Sequence, residues 1–153
     1  MSILKLERKR ILKDIGYLAQ DISILHRQYY KDTGKLFKEQ KLNPTAACIL
    51  LTIKDNSNIN QNQVAKSLVI DKGLATREIK KMQKLGYLTK TAGTGKSIIL
   101  SLTDSGEKVI PVIQSIRSKW WEDRFADAGI QPDSPLVAGI EKVVDSIVDE
   151  NLE

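Results

Sequence analysis

Residues 70–102 read I-D-K-G-L-A-T-R-E-I-K-K-M-Q-K-L-G-Y-L-T-K-T-A-G-T-G-K-S-I-I-L-S-L. The stretch predicts a helix with one basic face, a glycine turn, and a β-hairpin with a basic tip. On a wheel at about 100° per residue, Asp71 to Leu85 separates cleanly. Lys72, Thr76, Arg77, Lys80, Lys81 and Lys84 share one half of the cylinder. Leu74, Ala75, Ile79, Met82 and Leu85 share the other, which is the amphipathic period of a helix with a buried side. Asp71 is placed to cap the N-terminus, and Gly86 to stop the C-terminus. The polar face carries five cations against two anions, Asp71 and Glu78. A face that is merely solvated usually mixes its signs.

Tyr87 to Ala92 and Ser97 to Leu102 are β-prone runs joined by Gly93-Thr94-Gly95-Lys96, where two glycines are available for positive φ. Lys90 and Lys96 make the hairpin basic. Asp71 to Lys96 carries seven cations and two anions, whereas Glu122 to Glu153 carries nine anions and two cations. Such segregation is an electrostatic footprint for phosphate. Gly95-Lys96-Ser97 mimics the end of a nucleotide-binding P-loop. The required upstream glycine is replaced by Lys90, and the context is strand to strand instead of strand to helix.

Upstream of the basic helix, Asn43-Pro44 carries an N-cap and an N1 proline. The predicted helix runs through Ala46, Ala47, Ile49, Leu50 and Ile53 to near Lys54. After a polar loop, Ile59 is expected to add one short strand. Asn60 caps a helix from Gln61 to about Leu68, with Val64, Ala65 and Leu68 inward. Helix, turn, helix and hairpin are then complete. Ile3 to roughly Lys35 forms a long helix striped by Leu4, Ile11, Ile15, Leu18, Ile22, Leu25 and Tyr29, with Arg8 interrupting. Thr103-Asp104 opens another long helix to about Ala126, with Pro111 expected to kink it. Ser134-Pro135 opens a last one, striped by Leu136, Val137, Ile140, Val143, Val144, Ile147 and Val148. An apolar stripe of that size would aggregate if left bare, and so is expected to pack with the first helix in a dimer.

The fold class is therefore mainly α with a small β-hairpin wing: a winged helix-turn-helix over residues 43–103, with helical dimerisation regions at 1–36 and 104–153. The 153 residues, 41% hydrophobic and 28% charged, suit a compact globular protein. No run of about 18 apolar residues suggests a membrane span. No signal-peptide pattern is seen at the N-terminus, and a single cysteine fits the cytoplasm. One cysteine and one histidine exclude a structural zinc site, and no catalytic constellation or cofactor motif can be assembled.

Asn62-Gln63-Val64-Ala65, Ile70-Asp71-Lys72 through Thr76-Arg77, Leu85-Gly86-Tyr87-Leu88 and Leu102-Thr103-Asp104-Ser105-Gly106 stand in an order and spacing that resembles the MarR (multiple antibiotic resistance regulator) family. The resemblance spans almost the whole chain. It implies a homodimer that binds double-stranded DNA at a pseudo-palindromic operator, usually as a repressor, often relieved by a small molecule or an oxidant. By that resemblance and their place on the basic face, Thr76 and Arg77 are the candidates for base edges. Lys80, Lys81 and Lys84 are candidates for phosphate contacts, and Lys72 is a further DNA-binding candidate on the same face. Gln61 and Gln63 mark a helix start whose backbone N–H groups can meet a phosphate. The family's wing commonly carries Asp-x-Arg. The corresponding places here hold Thr94, Gly95 and Lys96, so Lys96 is expected to touch phosphate instead of reading a minor groove.

An effector pocket of the kind relatives have would draw on His26, Tyr29 and Cys48. The alternative for His26 is a dimer contact, and for Cys48 a buried structural thiol. Two other functions remain open on sequence grounds: a winged-helix protein-interaction module without specific DNA binding, and a cysteine-based redox-sensing regulator.

Overall fold

The computed structural model describes residues 14–153. Among these, α1 spans Tyr17–Lys38, α2 Pro44–Asp55, α3 Gln61–Leu68, α4 Lys72–Lys84, β1 Leu88–Ala92, β2 Ile98–Leu102, α5 Asp104–Ala128 and α6 Pro135–Leu152. The expected residues Ile3, Leu4, Arg8 and Ile11 of the first helix lie outside the described residues.

The predicted caps form as local chemistry dictates. Asn43 Oδ1 accepts the Ala46 N–H at 2.8 Å, Asp71 that of Leu74 at 3.2 Å, and Thr103 that of Gly106 at 3.0 Å. Ser134 accepts from Leu136 at 3.3 Å. Asn60 and Gln63 close a reciprocal capping box, each side chain accepting the other's N–H. Helix α1 passes the expected end and stops where Lys41 turns left-handed, at φ 60°, so that the Leu42 N–H reaches back to the Phe37 carbonyl. Helix α5 is unbroken through Pro111, which lies on its exposed side.

The sheet is a single antiparallel pair, with Leu88 opposite Leu102 and Lys90 opposite Leu100. The strand expected at Ile59 does not form. Ile59 is buried and gives one carbonyl to the Leu100 N–H at 2.8 Å. A single hydrogen bond anchors the loop to β2 without extending the ladder.

One core joins α1, α2, α3, α4, α5 and the hairpin, centred on Phe37, Ile49, Leu50, Ile79, Met82 and Ile113. The apolar residues of α6 stay outside it: no residue of that helix is buried. The outer stripe of α1 is likewise bare, with Leu18, Ile22 and Leu25 exposed.

Candidate nucleic-acid interface

The two helices of the helix-turn-helix are fixed by backbone chemistry at three points. The capping box starts α3. At its end the Val69 N–H donates to Ala65 and Lys66 while Val69 itself sits left-handed at φ 53°, a conformation that is costly for a β-branched residue. Asp71 then starts α4. Ala75, Ile79 and Met82 turn inward, as the wheel requires.

On the outward side Lys72, Thr76, Arg77, Lys80, Lys81 and Lys84 are all exposed. Among the described residues none of these cations, nor Lys90 or Lys96, has a carboxylate within ion-pair distance. Glu78, one of the two anions of the helix, does not dilute this face. It turns toward α2, where Asn43 Nδ2 donates to its Oε1 at 3.1 Å, while its other oxygen is buried without a partner. The outer face of α4 beyond its cap is thus more purely cationic than the sequence tally suggests. The Arg77 guanidinium lies back along the helix toward Gly73, where an added Cβ would stand 3.4 Å from Nη1. That points it to the N-terminal end of α4, the end from which recognition helices touch bases.

The expected glutamines are engaged. Gln63 is spent in the capping box. Gln61 Nε2 donates to Thr76 Oγ1 at 2.7 Å, and that hydroxyl in turn donates to the Lys72 carbonyl at 2.8 Å. A chain of side chains therefore ties the start of α3 to the first turn of α4.

The wing is set on α4 by a compact junction. Gly86, at φ 82°, ends the helix, and its carbonyl accepts the Thr103 hydroxyl. The Thr103 N–H binds the Tyr87 carbonyl at 3.1 Å, and the Tyr87 hydroxyl donates to Gln40 at 2.9 Å. Gly106 allows α5 to press against this strand: a Cβ there would overlap the Tyr87 carbonyl oxygen and come 3.3 Å from Leu102 Cβ. The Leu-Thr-x-x-Gly pattern is the sequence trace of that contact. At the tip the two glycines have different tasks. Gly95 takes positive φ, at 70°, whereas Gly93 does not. A Cβ on Gly93 would lie 2.6 Å from Ser97 Oγ and 3.0 Å from Ile99 Cγ2, so a larger residue there requires those side chains to shift. Lys96 stands exposed at the tip and Lys90 on β1.

His26, Tyr29 and Cys48, the residues expected at an effector pocket, do not line the open cleft beside Arg117. His26 is exposed and lies against Tyr30, with ring centroids 4.2 Å apart. Tyr29 meets Trp120 edge-on at 5.2 Å, and burial pushes its phenol up to about 12, with Arg117 nearby pulling the other way. Burial also raises the Cys48 thiol, which keeps it protonated at neutral pH and a poor nucleophile. The open cleft of about 610 Å³ lies instead between α2, α5 and α6, lined by Leu51, Arg117, Trp121, Phe125, Val137 and Ile140 among others. Sequence reasoning missed Arg117, whose place in a cleft depends on α2, α5 and α6 facing one another. No helix among the described residues is long and apolar enough to cross a membrane.

The MarR family model matches residues 40–96, the span from the end of α1 to the wing tip. The HTH-type transcriptional regulator BilQ of Clostridioides difficile strain CD3 is 33% identical over 112 residues, covering 71% of this chain and 76% of that protein. The chain belongs to the MarR family. It is a DNA-binding transcriptional regulator, and not an enzyme. A putative MarR-family regulator from Listeria monocytogenes, solved in complex with a 26mer DNA, is 28% identical with a TM-score of 0.73, covering 92% of this chain and 93% of that one. A MarR protein from Peptoclostridium difficile DA00132 shares the fold with a TM-score of 0.76 at 22% identity, covering 97% and 98%.

Proposed function

We propose that this MarR-family regulator is a homodimeric repressor that inserts α4 into the major grooves of a pseudo-palindromic operator. Residues 43–103 form the DNA-binding part, and residues 1–36 and 104–153 the dimerisation part. The observation that carries the proposal is the outer face of α4: exposed cations with no carboxylate partner, beside a wing that adds Lys90 and Lys96. Arg77 and Thr76 reach base edges. Lys72, Lys80, Lys81, Lys84 and Lys96 hold phosphates. The N–H groups at the start of α3, around Gln61, meet a backbone phosphate. The bare stripes of α1 and α6 support the dimer, since apolar surface of this extent is normally covered.

The test is selection of fragmented genomic DNA by the purified protein at near-physiological salt. An inverted repeat with half-sites one helical turn apart is the expected product. Uniform recovery that disappears as salt rises would mean an electrostatic surface only and would favour a protein-interaction module.

Relief by a small molecule is favoured by one observation. Arg117 is half-buried beside Trp121 and Phe125 in the cleft, and no hydrogen bond or ion pair occupies its guanidinium among the described residues. The same cleft carries the carboxylates Asp55, Glu122 and Glu141, so a largely apolar ligand with a small polar group that meets Arg117 suits that environment. A structural neighbour with this fold, CouR from Rhodococcus jostii RHA1, is bound to p-coumaroyl-CoA. Screening small apolar and aromatic molecules, acidic and neutral, for loss of operator binding in wild type and Arg117→Ala tests it: a ligand that releases both equally does not act through Arg117. The redox alternative lacks support, because the Cys48 thiol is raised by burial instead of lowered.

A further inference from the structure

Thr76 is exposed on the DNA-facing side of α4, yet its hydroxyl is already committed. Its only proton goes to the Lys72 carbonyl at 2.8 Å. One of its lone pairs takes the Gln61 amide at 2.7 Å. A threonine hydroxyl has one proton and two lone pairs, so no donor is left for a base. The major-groove atoms N7 and O6 of guanine, N7 of adenine and O4 of thymine all require a donor and are closed to it. With the oxygen turned back to the helix and to α3, the group offered outward is the methyl. The one apolar feature that distinguishes a base pair in the major groove is the thymine 5-methyl.

We infer that Thr76 reads a thymine through its methyl group, and that Gln61 is the positioning residue that commits it to this task. The inference rests on α4 entering the major groove, as proposed above. Gln61 acts across the helix-turn-helix. By holding the hydroxyl it fixes the side-chain rotamer of a residue on the next helix, with the donor spent and the oxygen turned away from the base. The threonine therefore selects by shape and apolar contact, and rejects a cytosine or uracil that lacks the methyl.

The experiment uses the selected operator with each thymine of the half-site replaced in turn by deoxyuridine, which deletes only the 5-methyl. Wild type is expected to lose about fourfold in affinity at one position, the value of one methyl group withdrawn from contact. Two variants then separate methyl from hydroxyl. Thr76→Val keeps a methyl and should retain the thymine-over-uracil ratio. Thr76→Ser keeps the hydroxyl and should bind both operators alike. Gln61→Ala should lower the ratio toward one without abolishing binding. The opposite pattern, with the ratio kept in Thr76→Ser and lost in Thr76→Val, would overturn the inference, as would a half-site in which no thymine is sensitive. If instead no preferred sequence is recovered at all, the major-groove proposal itself has failed, and this inference with it. That outcome is distinguished by equal binding of operator and random DNA.

Discussion

The segment from α2 to the start of α5 and the two end helices solve the same problem of apolar surface in different ways. In the first, nearly every inward position of the sequence finds cover: Ala46, Ile49, Val64, Ala75, Ile79, Leu88 and Leu100 are all buried. In the second, no residue of α6 is fully buried, and the fully buried residues of α1 lie in its C-terminal half. There Phe37 and Thr33 are buried and Asp32 ties it to α5. Leu18, Ile22, Val143 and Val144 remain bare. The difference teaches where this fold ends as a self-sufficient object. The segment from α2 to the start of α5 is finished within one chain, whereas the ends leave their apolar stripes uncovered by it.

The sharpest way to break the finished half is at Gly106. An alanine Cβ there would overlap the Tyr87 carbonyl oxygen, which is backbone and cannot swing away. Gly106→Ala is expected to cost about 3 kcal/mol and to lower the thermal midpoint. A melt unchanged from wild type would mean that the α5–wing contact is looser than described. In the unfinished half the expected loss is of association instead of folding. Ile147 is 44% exposed in the single chain. Ile147→Asp would remove about 1.5 kcal/mol of apolar burial twice over in a two-fold interface. Sedimentation should show dimer dissociation strengthened by about a hundredfold, with helical content retained. A variant that stays dimeric would remove α6 from the interface.

The DNA-facing side can be dissected in the same spirit. Arg77→Ala should cost about 1–3 kcal/mol on the specific sequence and relax one base position. Lys96→Ala should weaken all sequences alike and reduce the salt slope by about one. Competition binding across a salt series measures both, and equal losses on operator and random DNA for Arg77→Ala would reduce that residue to a phosphate contact. A smaller effect is expected at Val69, the β-branched member of the three non-glycine residues at positive φ among the described residues. Val69 is left-handed and 64% exposed, so it carries backbone cost without burial in return. Val69→Asn should stabilise by about 1 kcal/mol; a destabilised variant would mean that the valine side chain makes a contact the turn needs.

Which features could be seen in the sequence follows the same division. The caps at Asn43, Asn60, Asp71, Thr103 and Ser134 were legible because each is a short-range bond between a side chain and an N–H two or three residues on. The basic face of α4 was legible because helical period alone decides it. Features that depend on two distant segments meeting were not. Glu78 was counted as surface charge but turns to Asn43. Gln61 was assigned to a helix terminus but holds Thr76. Ile59 suggested a strand, since burial and β-propensity do not reveal that only one of its backbone groups finds β2. Arg117 carried no motif at all, and its cleft exists only where α2, α5 and α6 come to face one another.

The tie that holds the inner half of α1 makes the comparison testable by pH. The indole N–H of Trp120 donates to Asp32 Oδ2 at 3.0 Å. Gln28 Nε2 donates to its other oxygen at 2.8 Å, and Arg124 Nη2 lies 2.7 Å from Oδ2. These bonds, that of Trp120 first, lower the Asp32 carboxyl from the usual 3.8 to about 2. A carboxyl whose pKa is lower folded than unfolded stabilises the fold in its ionised form. The contribution is therefore complete above about pH 4 and fades as pH falls toward 2. Asp32→Asn removes the charge and with it the pH dependence. Urea midpoints of wild type and variant should differ at near-neutral pH and converge as the solution is acidified through that window. The effect should be modest, because water still reaches the group and screens it. If the difference persists at the acid end, the asparagine has damaged packing at Trp120, and the tie is steric instead of ionic. If there is no difference at any pH, the Asp32 carboxylate adds nothing to stability, and α1 is held to α5 by packing such as that of Tyr29 on Trp120.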